Sequence, residues 1–570
     1  MPKTKPSESG SGANLGRQLI GFFLKNRKFP IWRPVRFPGL ALASATDLLL
    51  MAIFSSITGT LVVVVITAGV SETGEGLAAV ELGAAFVALL LVYRFAQTLL
   101  LRKSAKAIED ALHEQRVRVA AKVLRLNLGD IQQASRTALL DGMARYYEAV
   151  SQAIMPLLSG FQNSILLLLI ILYLFWLSII AGILSVLFVG LVIQYYLNRE
   201  EEEKGHLTDA AHADAALRSS AQDLVDGFKE LRMSQAKQDA IQQEIVALSN
   251  NVAKARTNGA FVISDLVILA GSTAFMLGAT VVFILPLISG IAGGELTKIM
   301  ATALFLLGPL GAFVRAAEPL SIARFSLSGI DAFERSLDER IRTAPTFALK
   351  PILFERLNLD RISYSHRPNM DKEGFAIRDV TLELSPGQLT FVTGGNGSGK
   401  TTMLRVLTGL YQAQSGSIML NDEVVSDENM EDYRHLFSTV FSDFHIFCKP
   451  YGLDETGLAA FMQNAQDFGI ADKLPEDIAN GYDTEAFSTG QRKRLALALA
   501  LAESRPILVL DEWAADQDPA YRERFYGTII PRIKASGKAV ILITHDERFF
   551  DLADRLYHME DGQLTQVNRT

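Results

Sequence analysis

The 570-residue chain is 49% hydrophobic yet 21% charged, a mixture that fits neither an all-membrane nor an all-soluble protein and divides the sequence into parts of opposite character. Its length exceeds one ordinary domain. A formal net charge of -7 without a long basic stripe argues against nucleic acid as a partner, and the single cysteine, Cys448, excludes an internal disulfide framework.

Residues 1–36 are polar, then basic and aromatic (Lys25, Arg27, Lys28, Trp32, Arg33, Arg36), with no small-residue cleavage site before the first apolar run. They read as a cytoplasmic segment held at the membrane surface. Six apolar runs follow, at 39–70, 77–101, 153–176, 177–197, 260–287 and 299–322. Each meets the requirement of about 20 mainly apolar residues for a membrane-crossing helix. The connections after the first, third and fifth runs are short and nearly free of Lys and Arg, whereas 102–148 and 199–256 are long and charged. The bias places the long connections and both termini in the cytoplasm. Neither long connection contains Pro, so the membrane helices are expected to continue far below the bilayer and to turn near 127–131 and 226–231. Asp47, Glu81, Arg94, Asp265, Arg315 and Glu318 lie within the apolar runs. Arg315 and Glu318, three apart on one helix face, read as an ion pair or snorkelling side chains, or as a polar patch lining the translocation cavity. The boundaries are then 1–36, an N-terminal segment; 37–340, an all-α transmembrane domain; and 350–570, an α/β domain.

In that last domain, residues 389–393 read as a strand and 402–410 as a helix. Between them stands Gly394-Gly395-Asn396-Gly397-Ser398-Gly399-Lys400-Thr401-Thr402, which fits G-x-x-x-x-G-K-[ST]. Backbone N–H groups of such a loop curl around phosphates, the following helix points its positive end at them, Lys400 reaches the β- and γ-phosphates, and Thr401 can ligate Mg²⁺. ATP and Mg²⁺ are therefore the expected cofactors. Ile507–Glu512 is an apolar run ending in two acids. Asp511 is placed to hold Mg²⁺ through water, and Glu512 to polarise the attacking water. Upstream lies Phe487-Ser488-Thr489-Gly490-Gln491-Arg492, and downstream lie Asp516-Gln517-Asp518 and Ile543-Thr544-His545-Asp546.

The order of phosphate loop, Ser-x-Gly-Gln signature, Asp-Glu strand end, Asp516 loop and strand-end His545 resembles that of ATP-binding-cassette (ABC) ATPases, and the entire chain resembles the exporter-type half-transporters of that family. The resemblance implies a six-helix transmembrane domain ahead of a P-loop ATPase domain, working as a homodimer. It implies that Ser488, Thr489, Gly490 and Gln491 contact the γ-phosphate bound by a second copy, that Asp516 couples the two sites, and that His545 senses the γ-phosphate. Two departures from the family pattern stand out. Ser442, in Val440-Phe441-Ser442-Asp443, occupies the place of a Gln that contacts Mg²⁺ and water, and its side chain is short for that task. The adenine-stacking aromatic is Tyr364 or His366, with spacing slightly favouring His366. Phe437–His445, Asp511–Pro519 and Lys229-Glu230-Leu231 together resemble the branch exporting cyclic peptides and siderophores, which includes syringomycin, pyoverdine and lasso-microcin exporters. That branch implies peptide or siderophore-like cargo and a bacterial inner membrane. A lipid flippase, or a siderophore importer of exporter architecture, would carry the same ATPase motifs.

Overall fold

Six helices long and apolar enough to cross a membrane precede an α/β region in the computed structural model, which describes residues 42–71, 76–134, 136–291, 293–341, 352–365 and 375–567. The N-terminal segment 1–36 and His366 lie outside the described residues. Two compact units result. One holds the described residues up to Leu126 together with Ala134–Arg340; the other holds Asn127–Gln133 with the described residues from Ile341 onward.

In the first unit, α1 (Leu42–Ser71) and α2 (Gly76–Val123) are followed by α3 (Leu128–Gln133), α4 (Tyr146–Leu177), α5 (Ile179–Asp226), α6 (Phe228–Arg232), α7 (Gln235–Ala279), α8 (Gly294–Leu304), α9 (Leu307–Arg315) and α10 (Ala317–Arg340), with α3 itself belonging to the second unit. Both α2 and α5 run for 48 residues. At 1.5 Å per residue that is about 70 Å, against roughly 30 Å of hydrocarbon, so more than half of each helix extends past the bilayer. The turn between α4 and α5 is the single residue Ser178, whose extended backbone ends one helix and whose hydroxyl accepts from Ala181 N at 3.4 Å to start the next. Gly227 interrupts the helical run between α5 and α6.

Lipid is as apolar as leucine, so close packing and interhelical hydrogen bonds must join these helices. Buried Gln162 on α4 donates to Ser55 Oγ on α1 at 2.8 Å, and Ser56 Oγ donates to Gln162 O at 3.0 Å. Gly160 on α4 faces Ala316, and a Cβ built on this glycine would overlap the Ala316 methyl. Gly160→Leu is therefore expected to destabilise the membrane unit by about 1–3 kcal/mol, the usual range for overpacking. Gly190→Ala, at a site where an added Cβ meets nothing within 4 Å, should leave the thermal midpoint in detergent unchanged. Equal midpoints for the two variants would remove the Gly160 contact as a packing constraint.

Of the readings open for Arg315 and Glu318, the ion pair does not form among the described residues, while Glu318 does line a cavity. Arg315 closes α9, the helix breaks at Ala316, and Glu318 lies in the first turn of α10, so the two are not successive positions on one regular helix face.

The second unit contains β1 (Leu357–Ser365), β2 (Ala376–Leu384), β3 (Leu389–Thr393), α11 (Lys400–Leu407), β4 (Ser415–Leu420), β5 (Glu423–Val424), β6 (Phe437–Val440), α12 (Glu455–Asp467), α13 (Thr489–Ala502), β7 (Ile507–Asp511), β8 (Ala539–Ile543), β9 (Arg555–Glu560) and β10 (Gln563–Gln566). One sheet has the order β10-β9-β3-β8-β7-β6 and is parallel except for its β9–β10 edge; the other, β2-β1-β4-β5, is antiparallel. Every residue of β3, β7 and β8 is buried, which accounts for their unbroken apolar sequences. Within this unit α3 is held by Leu128, which packs on the core beneath the antiparallel sheet, and by Gln132, whose Oε1 accepts from Tyr411 Oη at 2.7 Å.

Candidate functional site

Four parallel strands deliver their carboxyl ends to one place, the usual ligand crevice of an open α/β sheet. Thr393 ends β3 before the phosphate loop, Val440 ends β6 just before Ser442, Asp511 ends β7, and Ile543 ends β8 before Thr544 and His545.

The loop after β3 requires its glycines. Gly394, Gly397 and Gly399 have φ of 142°, 79° and 107°, in the half of backbone space that L side chains avoid. A Cβ on Gly394 would also overlap Met559 O. Gly395, Asn396 and Gly397 are exposed, while Ser398 is buried with its hydroxyl unpartnered, an orphaned polar group that a phosphate oxygen would satisfy. Thr401 and Thr402 open α11 behind Lys400, where the N–H groups of the first turn lack helical acceptors. Lys400 is 5% exposed, and its Nζ donates to Gly394 O and Gly395 O, both at 2.9 Å. Burial holds its ammonium below the ordinary value, while Glu512 and Asp511 pull the other way.

Asp511 gathers the polar groups around it. Thr401 Oγ1 donates to its Oδ2 at 2.9 Å, and Ser442 donates to the same atom through Oγ at 3.0 Å and through N at 3.4 Å. Ser442 reaches despite its length because its backbone comes to the carboxylate. Asp511 is 1% exposed, and its other oxygen, Oδ1, has no hydrogen-bond partner. A buried carboxylate oxygen without a donor, flanked by two hydroxyls, fits the hard oxygen set of Mg²⁺. Thr401, Asp511 and Ser442 are thus the residues that would hold it.

Glu512 has φ 49° and ψ 36°, a left-handed conformation that costs a non-glycine residue about 1–2 kcal/mol. The turn aims its carboxylate back at the loop, with Oε1 3.9 Å from Lys400 Nζ and 3.3 Å from His545 Nε2. Thr544 beneath His545 is held by Tyr526 Oη at 2.6 Å, and burial pushes that phenol up to about 12, keeping it protonated.

The signature stands apart from this cluster. Ser488 caps α13 in a reciprocal box with Gln491, and Lys473 Nζ donates to Gln491 Oε1 at 2.9 Å. Gly490 O accepts from Gln517 Nε2 at 3.0 Å. Among the described residues no hydrogen bond or ion pair joins Ser488, Thr489, Gly490 or Gln491 to the phosphate loop of the same chain. Asp516 pairs with Lys493 at 2.8 Å. Tyr364 is stacked on Tyr411, with centroids 4.9 Å apart and planes at 7°.

Sequence reasoning overlooked Lys493 and Arg522. Lys493 shares the buried face of α13 with Leu497 and Ala500, a period that could have flagged it. Arg522, which donates to Ala515 O at 3.4 Å and Gln517 O at 3.3 Å and faces Asp546 at 3.6 Å, carries no local signal.

In the membrane unit a cavity of about 410 Å³ is lined by Arg145, His206, Asp214, Arg256, Glu318 and Phe325, among others. Asp214 accepts from Arg256 at 2.7 Å, leaving Glu318 as the carboxylate without an ion-pair partner among the described residues.

A glycine-rich phosphate loop, a buried Asp-Glu strand end and a detached signature, on a chain with six membrane-length helices, define a P-loop nucleotide-binding membrane protein. Residues 377–515 match the family described as ABC transporter. ATP-binding protein SyrD of Pseudomonas syringae pv. syringae is 33% identical over 357 residues, 60% of this chain and 62% of that protein. The energy-coupling factor transporter ATP-binding protein EcfA1 of Streptococcus mutans is 30% identical over 225 residues, 36% of this chain and 76% of that protein. The structure of a bacterial Atm1-family ABC exporter with ATP bound superimposes with a TM-score of 0.74 at 18% identity, covering 92% of this chain and 95% of that one, a likeness of fold. The chain belongs to the ABC transporter family. It spans 62% of the length of SyrD.

Proposed function

We propose that this chain is one half of an ATP-driven exporter that works as a homodimer by alternating access, carrying a cyclic peptide, lipopeptide or siderophore-type peptide across a bacterial inner membrane with both termini in the cytoplasm. The observation that carries the reading is the division of the ATP machinery. Phosphate loop, Asp511 and Glu512 converge, while among the described residues the signature is tied to its own loop by no hydrogen bond or ion pair. A second copy supplies the missing half to each site, and one ATP is closed between the loop of one copy and Ser488–Gln491 of the other.

Within each site the loop amides and Lys400 bind and orient the phosphates. Thr401, Asp511 and Ser442 would hold Mg²⁺, which when bound would neutralise phosphate charge. Glu512 orients the water that attacks the γ-phosphorus, and His545 contacts the γ-phosphate from the end of the neighbouring strand β8. Tyr364 or His366 stacks on adenine. The peptide-type cargo is supported by the runs around Ser442, Asp511–Pro519 and Lys229–Leu231.

ATP turnover in lipid nanodiscs, measured against cyclic peptides, siderophore precursors and lipids with Glu512→Gln as background, tests the proposal. Stimulation by peptides or siderophore precursors is the expected outcome; stimulation by lipids alone would replace it with a flippase. Ser442→Ala is expected to raise the Mg²⁺ concentration for half-maximal turnover by roughly 10-fold, the lower end of the effect of removing a supporting metal-site contact. An unchanged Mg²⁺ titration would place Ser442 outside the metal site.

A further inference from the structure

Lys493 is a buried lysine in the first two turns of α13, immediately behind the signature, and the family reading gives it no task. A buried ammonium is costly unless its donors are met. Here they are met by two groups of the catalytic loop. Nζ donates to the backbone oxygen of Glu512 at 2.9 Å and pairs with the Asp516 carboxylate at 2.8 Å. The return contact comes from Trp513, fully buried, whose indole Nε1 donates to Lys493 O at 2.7 Å. Trp513 is itself clamped by Phe525, stacked with centroids 4.3 Å apart. Three consecutive contacts therefore join one turn of the signature helix to the turn Glu512–Asp516.

Glu512 is the member of that turn with left-handed backbone. Such a conformation persists only where surrounding contacts hold it. Its own N–H is taken by Ile543 O at 3.2 Å, and its carbonyl accepts from Ala515 N within the turn at 3.3 Å and from Lys493 Nζ at 2.9 Å, so the ammonium is the one side-chain donor on that carbonyl among the described residues and helps set where the carboxylate points.

Resting on the dimeric ATPase reading, we propose that Lys493 is a positioning residue that transmits engagement of the signature to the catalytic glutamate of the same chain. When Ser488–Gln491 close on the nucleotide held by the second copy, α13 settles, and Lys493 with Trp513 brings Glu512 to its working orientation. ATP bound at one site thereby readies the glutamate of the other. No atom of Lys493 touches substrate.

The test uses the full chain in lipid nanodiscs, with ATP turnover, its KM and equilibrium binding of a fluorescent ATP analogue as readouts. Lys493→Met is expected to lower kcat by about 100-fold, the scale of loss from misplacing a catalytic group by an ångström, with KM and analogue affinity within roughly twofold. Trp513→Phe, which keeps the ring stack and removes the indole donor, should lower kcat by about 10-fold with the same unchanged binding. It carries the prediction if Lys493→Met does not fold. In a Glu512→Gln background Lys493→Met should add almost nothing, since both changes act through one group. A purely structural role would instead lower analogue binding and thermal midpoint together with kcat. Parental turnover in Lys493→Met, or an equal further loss in the Glu512→Gln background, overturns the proposal. Wild-type protein without Glu512-dependent turnover would instead overturn the ATPase reading on which it rests.

Discussion

Glu512→Gln is expected to lower ATP turnover by about 100-fold or more while leaving ATP affinity within roughly twofold of the parent. The amide has nearly the shape of the carboxylate, so the left-handed turn, the Lys493 contact to the backbone oxygen and the buried strand behind it are undisturbed. What changes is the charge 3.9 Å from Lys400 and 3.3 Å from His545, the group proposed to polarise water. Phosphate release under saturating Mg²⁺ and ATP, alongside equilibrium binding of a fluorescent analogue, separates the two effects. Turnover near the parental rate would assign the water to another residue.

Lys400→Met has the opposite signature. Met keeps the length and apolar stem of a side chain that is 5% exposed, but removes the ammonium held by Gly394 O and Gly395 O. A hydrogen bond to a charged group contributes about 1.5–3 kcal/mol, so ATP affinity should fall by roughly 10- to 100-fold, with turnover lost in consequence. The same binding measurement used for Glu512→Gln reads this directly. Undiminished affinity would mean that the ammonium stays with its loop carbonyls and does not contact phosphate. The pair of variants therefore separates binding from hydrolysis within a site whose two side chains lie in contact.

The features legible in advance are those whose cause is local. A membrane-crossing helix requires only a long apolar run, because its backbone hydrogen bonds close within the segment. The six runs could accordingly be read without knowing any neighbour, and turns were expected near 127–131 and 226–231, where the long helices do end and the short helices α3 and α6 stand. The phosphate loop is legible for a similar reason. Positive φ at Gly394, Gly397 and Gly399 leaves few other residues able to stand there, and a lysine and two threonines opening the next helix complete the signal.

Contacts between distant parts of the chain were not legible. Ser442 looked too short for its place; it reaches Asp511, 69 residues away, because β6 and β7 run in parallel register and carry its backbone to the carboxylate. Arg315 and Glu318 could be read from helical spacing as paired, as snorkelling or as lining a cavity, and the break at Ala316 lies between them. Lys493 drew no notice in the sequence, and its contacts become visible only when Glu512, Trp513 and Asp516 fold back on it. By itself, then, the amino-acid sequence determined the membrane helices, the phosphate loop and the family, since apolar length and glycine backbone freedom act within a few residues. The tertiary structure alone decided which hydroxyls meet Asp511 and what restrains Glu512, because sheet register and helix packing bring together residues whose spacing along the chain carries no trace of the contact.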